Sequence, residues 1–367
     1  MQRRTLATAF GALALLGLTS LPAASADDKP GVIRISFPGA GTGGRPLSGG
    51  SFPANGHLFK EIDDEFKADG IRIEWKFFPG AGPALNESYA NGLTDVAFGH
   101  GDLPLIVGRS TGLKHRIVLS SGRFGSSYFV VPAGSTAKSV ADLKGQRLAT
   151  FKGTAGQLTL YRWLDKFGFS DKDFRVISLD NDSTKAALAT NDIAGTNITP
   201  FDLQARGIAR SILEIRDDPK ITRPGTVWVG EEFEAKYPQI VQRIVTRLVK
   251  VAYWSTQEAN REKEFQAWAT SGSQAYIDYK KDWESVPDLR TRINPLLDEY
   301  YIASLKSSIE ETKKFKLIRK DVSIDGWIEP KYLNQALKEL KLEDYWPQYD
   351  ADGKLKVAAR SKLAAGN

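Results

Sequence analysis

The chain has 367 residues, a formal charge of +6, 41% hydrophobic residues and 26% charged ones. That balance excludes a disordered or fibrous chain and leaves material for one large core or two moderate ones. With no cysteine at all, and Met1 as the single methionine, disulfides, thiolate-bound zinc, iron–sulfur clusters, a thiol nucleophile and a lipid-bearing N-terminal cysteine are excluded.

The N-terminus reads as a cleavable export signal over residues 1–26. Arg3 and Arg4 precede an apolar run from Leu6 to Leu21, and Ala24-Ser25-Ala26 forms a small-x-small cleavage site. Gly11, Gly17 and Pro22 interrupt the run, which is short for a membrane span. The paired arginines suit twin-arginine export, but Gln2 and Ala7 fit that pattern poorly. Cleavage removes two arginines and no acid, lowering the charge from +6 to +4, and leaves a chain without sulfur.

Strands and helices then alternate. Val32 to Phe37 predicts a strand, followed by a Gly/Pro-rich loop over 38–56. Leu58, Phe59, Ile62 and Phe66 recur at helical spacing over His57–Lys67, with Gly70 where a cap belongs. Ile71–Trp75 alternates as a strand, Pro83–Asn91 reads as a helix and Asp95–Gly99 as a short buried strand. Asp102-Leu103-Pro104 opens another helix, with Asp102 as its expected cap. Arg116–Leu119 and Tyr128–Val131 are strands.

A second unit of the same kind begins near Pro132. It runs through a turn at Val140–Leu143, a strand at Arg147–Thr150, a helix at Thr154–Phe167 and a strand at Phe174–Leu179. A helix at Thr184–Thr190, a strand at Ile193–Asn197, a helix at Phe201–Ala209 and strands at Ile212–Ile215 and Thr226–Val229 follow. From Tyr237 onward amphipathic helices dominate. This order predicts an α/β fold with mostly parallel sheets covered by helices.

A motif series carries a family resemblance. It comprises Gly92-Leu93-Thr94-Asp95 leading into Val96–Gly99, then Gly101–Pro104, then Ser139-Val140-Ala141-Asp142-Leu143-Lys144-Gly145, and Lys152-Gly153-Thr154-Ala155. Ala187-Leu188 with Asp192-Ile193-Ala194 continues it, with the acid before the isoleucine instead of after. The set resembles periplasmic substrate-binding proteins of ABC importers, in the nitrate, aliphatic sulfonate and taurine group, over roughly residues 31–270. The resemblance implies a two-lobed periplasmic-binding-protein-like (type II) fold with two crossing strands, Ser127–Val131 and Thr226–Val229, and a helical C-terminal region. Lobe I would be 27–127 with 228–367, and lobe II 128–227.

The same resemblance implies a monomeric, cofactor-free, non-enzymatic periplasmic receptor. It would capture a small anion, such as an aliphatic sulfonate or taurine-like compound, in the interlobe cleft and deliver it to permease transmembrane subunits. A periplasmic ligand sensor of the same fold is the alternative. No basic block interleaved with aromatics points to nucleic acid, and no later segment is apolar and long enough to enter a membrane.

Loops that follow a strand and open a helix are the candidate ligand sites, because helix N-termini offer unpaired N–H groups and a positive dipole end. They are Gly41-Thr42-Gly43, Gly101-Asp102, Lys152 with Thr154-Ala155, and Thr199-Pro200. Asp102 and Thr154 also suit plain caps, and Pro200 a plain first turn. Arg123 and Ser126 lie near the first crossing; Arg123 suits an anion partner or solvent exposure. Trp228 suits packing on a ligand or in the core. His100 adjoins the Gly101 turn and suits a cleft donor or a structural role.

Two enzyme-like patterns lack their context. Gly39–Gly44 matches G-x-G-x-x-G, but Pro46, Gly49, Gly50 and Pro53 follow where a nucleotide site needs a helix. Gly108–Gly112 matches G-x-S-x-G, but a strand follows. His57, His100 and His115 lack metal-ligand spacing, so no metal is expected.

Overall fold

The computed structural model describes residues 29–39, 44–216 and 218–360. The export-signal reading and the Gly41-Thr42-Gly43 candidate fall outside them. The first lobe holds β1 (Val32–Phe37), α1 (Phe52–Leu58), α2 (Glu61–Lys67), β2 (Arg72–Phe77), α3 (Ala81–Ala90), β3 (Val96–His100), α4 (Asp102–Ser110) and β4 (His115–Ser120). The second holds β5 (Ser127–Pro132), β6 (Arg147–Thr150), α5 (Ala155–Lys166), β7 (Arg175–Ser178), α6 (Asn181–Ala189), β8 (Gly195–Thr196), α7 (Phe201–Ala205) and β9 (Ala209–Ile215). The chain then returns through β10 (Thr226–Gly230) to α8 (Glu231–Lys236), α9 (Pro238–Ser255), α10 (Arg261–Ser271), α11 (Tyr276–Trp283), α12 (Glu299–Lys314) and α13 (Lys331–Leu340). It ends on a ribbon of β11 (Gln348–Tyr349) and β12 (Leu355–Val357).

The two large sheets share one plan, β2-β1-β3-β10-β4 and β7-β6-β8-β5-β9. In each, three parallel strands are followed by one antiparallel strand and a fifth strand beyond it. The expected crossing strands are β5 and β10. Each lies inside a sheet, and the passages between lobes include the short segments before them, 121–126 and 218–225.

Apolar patterning explains the layers. Ile33, Ile35 and Phe37 of β1 pack with Phe52, Ile62 and Phe66 and with the α9 stripe Val241, Ile244, Val245 and Leu248. On the other face of that sheet, Leu85, Leu105, Ile106 and Trp228 meet Tyr301, Leu305 and Trp327. The second sheet is covered by Leu160, Trp163 and Leu164 of α5 on one side and by Leu188 and Leu203 on the other.

Several local expectations shift. The helix expected over His57–Lys67 is two, because Lys60 takes a left-handed φ of 56° between α1 and α2. α1 also occupies the end of the expected loop, with Pro53 in its first turn, where no N–H is needed. Asp102 is not the cap of α4: Gly101 is, and Asp102 is the first helical residue.

Candidate functional site

A cavity of about 320 Å³ lies between the lobes. Ala81 and Gly82 open α3 and Gly101 caps α4 on one side; Thr154, Ala155 and Gly156 open α5 and Asn181 opens α6 on the other. Four helix N-termini thus converge on one space, beyond the carboxyl ends of β3, β6, β7 and β8. Thr150, Thr184, Thr196 and Asn197 add hydroxyls and amides. None of its described lining residues is charged. Any charge the cavity accepts is therefore met by peptide dipoles and neutral donors.

Two further spaces, of about 230 and 350 Å³, continue the cleft toward the segments that join the lobes. Asn181, Asn197 and Ile198 line both the first space and the 230 Å³ one. Ser126, Ser127, Thr159, Thr199 and Gln274 line both the latter and the 350 Å³ one.

Of the sequence candidates, Gly101, Thr154 and Ala155 meet at the first cavity. Thr154 is also the α5 cap, its Oγ1 accepting from the Gly156 N–H at 3.2 Å. Ser126 and Thr199 line the adjoining spaces; Ser126 Oγ accepts from Arg292 and Thr199 Oγ1 from Gln274. Pro200 is buried at the start of α7 and Lys152 is exposed; neither lines these cavities.

Arg123 lines the 350 Å³ space, but its guanidinium is already paired. Its guanidinium donates to both Asp298 oxygens, at 2.9 and 2.8 Å, and to the Leu296 carbonyl. It is neither a solvated arginine nor an unpaired anion partner. Trp228 is wholly buried in the core and donates from Nε1 to His100 Nδ1 at 2.8 Å. That bond puts the His100 proton on Nε2, which lies against Gly82 without completing a hydrogen bond. Burial pulls the His100 pKa down to about 4, so the ring is neutral. It supports the cavity from behind as an uncharged group.

Asp102 does not face the cavity either. It is buried and bridges the lobes: Oδ2 accepts from Arg162 of α5 at 2.5 Å and from Ser308 of α12 at 3.1 Å. Arg162 Nε reaches Glu311 at 2.6 Å, and Arg223, in the second connecting segment, reaches Glu311 at 2.7 Å. Across the cleft, Asn181, Lys185 and Thr199 bond to Ser273 and Gln274 in the α10–α11 loop. A Cβ on Gly101 would stand 2.7 Å from the Ala155 methyl. The lobes are in contact, and the arrangement is closed.

Sequence reasoning missed Ala81, Gly82, Thr150, Asn181, Thr184 and Asn197. Thr150 and Asn197 stand at strand ends that were read correctly, so position after a strand was a usable signal. Asn181 was hidden because the helix was expected to start at Thr184, a turn too late.

Together, the paired sheets, the interlobe cleft and the converging helix ends define a two-lobed solute-binding protein of the periplasmic type. Residues 66–258, just over half of the chain, match the family described as NMT1/THI5 like, and the chain belongs to that family. A Bacillus subtilis (strain 168) protein named for binding aliphatic sulfonates is 24% identical over 76% of this chain and 82% of its own length. The periplasmic sulfonate-binding protein SsuA of Methylobacillus flagellatus KT is 27% identical, with a TM-score of 0.72 over 87% of this chain and 97% of that one. The desulfurization enzyme DSZB shares the fold at 16% identity, with a TM-score of 0.60 over 84% of this chain and 99% of that one.

Proposed function

We propose that this chain is the extracytoplasmic receptor of an ABC importer, capturing a small organosulfonate, taurine-like or aliphatic, and presenting it to permease subunits in the periplasm. The observation that carries this reading is the convergence of four helix N-termini, two from each lobe, on a cavity with no charged lining residue. A sulfonate has three acceptor oxygens and one delocalised negative charge. Peptide N–H groups and threonine hydroxyls satisfy it without a metal or a titrating cation. The names of the relatives point to the same chemistry. The lobes, divided as 27–127 with 228–367 against 128–227, close about the two connecting segments and bury the solute. The closed face is the form the permease reads.

Isothermal titration of the full chain with ethanesulfonate, taurine, nitrate and bicarbonate tests this. Binding of at least one sulfonate in the micromolar range, at least tenfold tighter than either inorganic anion, is expected. Binding of nitrate or bicarbonate alone would overturn it.

A further inference from the structure

We infer that the solute is a hydroxylated sulfonate, with its sulfonate at the helix ends and its hydroxyl-bearing carbons in the adjoining 230 Å³ chamber. This rests on the sulfonate reading above and narrows it. An alkyl tail is best received by an apolar wall, because burying unpaired polar groups against it costs free energy. This chamber is walled differently. Hydroxyls of Ser126, Thr159 and Thr199 and amides of Asn181, Asn197 and Gln274 surround it.

Their bonding leaves capacity of both kinds. Thr159 has no side-chain hydrogen bond among the described residues. The amides of Asn181, Asn197 and Gln274 are engaged through their nitrogens, with Ser273, Gly156 and Thr199, which leaves their carbonyl oxygens as acceptors. Thr199 accepts one bond and keeps a hydroxyl proton to give, while Ser126 accepts from Arg292 and bonds to Tyr128 as well. A second carboxylate or sulfonate would pair with the Lys185 ammonium but face three amide oxygens. A hydroxyl both gives and accepts, and so matches the mixture.

Lys185 supplies one more donor. Its ammonium bonds to the Ser273 carbonyl at 2.5 Å, and two N–H groups remain for an ether or hydroxyl oxygen. Connectivity fixes the order of head and tail. Asn181, at the start of α6, lines both spaces, and Lys185 stands one helical turn on. The chamber is therefore about one turn, roughly 5–6 Å, from the helix-end cavity. That is the reach of a three-carbon chain.

Titration of the full chain with 2,3-dihydroxypropane-1-sulfonate, propane-1-sulfonate, 3-sulfopropanoate and glycerol tests this. The dihydroxy compound is expected to bind at least about tenfold more tightly than the alkyl compound and more tightly than 3-sulfopropanoate, with glycerol silent. Thr159→Val, nearly isosteric, is expected to reduce the dihydroxy-to-alkyl ratio several-fold. Equal or tighter binding of propane-1-sulfonate overturns the tail assignment and leaves the sulfonate reading standing, as does a preference for 3-sulfopropanoate. No binding of any sulfonate overturns both.

Discussion

Buried titrating side chains, Glu264 and the histidines foremost, shape the pH behaviour of the fold. Glu264 is wholly buried beside Asn55 and Ser255, and burial pushes its pKa up to about 8. Against its ordinary 4.5, it takes up a proton on folding between those values, so stability falls as pH rises through that window. His100 is pulled down to about 4, and His115, stacked on Trp228, well below its ordinary 6.5. Both give up a proton on folding below 6.5, so stability falls as pH drops. Between 4.5 and 6.5 these two histidines, joined by half-buried His57 that burial also lowers, oppose Glu264 and prevail; above 6.5 the glutamate dominates. Thermal unfolding of the solute-free chain is expected to show a maximum near pH 6.5. The alkaline fall should be about 1.4 kcal/mol per pH unit at its steepest, and Glu264→Gln should flatten it. A midpoint that climbs from pH 6.5 to 8 in the parent chain would refute the assignment. None of this was legible in the sequence: a glutamate and two histidines carry no mark of burial until the chain packs around them.

Elements were far more legible than site residues, for a physical reason. Periodicity and glycine punctuation are local, and they marked both α/β units and every strand of the two large sheets. What failed were helix starts, where Lys60, Ala81 and Asn181 depend on backbone angles or caps that composition does not encode, and one helix end, since the helix expected over Phe201–Ala209 stops at Ala205 and Ala209 opens β9. The C-terminal helices had clear patterning but no visible destination. α13 packs along α9, burying Tyr332, Leu333 and Leu337. Leu333→Ala is expected to cost about 2–5 kcal/mol, read as a lower denaturation midpoint in the solute-free chain; a change under about 0.5 kcal/mol, the size of an ordinary surface effect, would mean that α13 is not part of the cooperative core. At the α4 start, Gly101 is needed for approach, not for backbone angle, since its φ of −77° suits any residue. Gly101→Ala is expected to hold the lobes apart. Solute affinity should drop at least about tenfold while the solute-free midpoint stays unchanged. Unaltered affinity would show that the contact with Ala155 is dispensable.

At the scale of the whole molecule, the closed form carries bonds of its own on both flanks of the cleft. Arg162 joins Asp102, Ser308 and Glu311 on one flank, and the α10–α11 loop meets α6 and Thr199 on the other. Two lobes were expected from the motif series, but not this network. Its partners lie up to 206 residues apart along the chain, and no local pattern pairs them. Asp102→Asn leaves Arg162 with Glu311 and removes the charge that ties it to α4. Small-angle scattering of the solute-free variant is expected to give a larger radius of gyration than the parent, with weaker solute binding because the competent state is less populated. An identical scattering curve would assign the pair to stability alone.

From residue 29 to residue 360 there is no sulfur atom. Where a pliable thioether would ordinarily plug an irregular gap, this interior uses rings: Phe37 sits among Trp75, Phe77, Phe98 and His57, with centroids 5.6–6.1 Å apart. Peroxide therefore finds no methionine between residues 29 and 360 to turn into a polar sulfoxide. A cell making residues 29–360 therefore commits no sulfur to them.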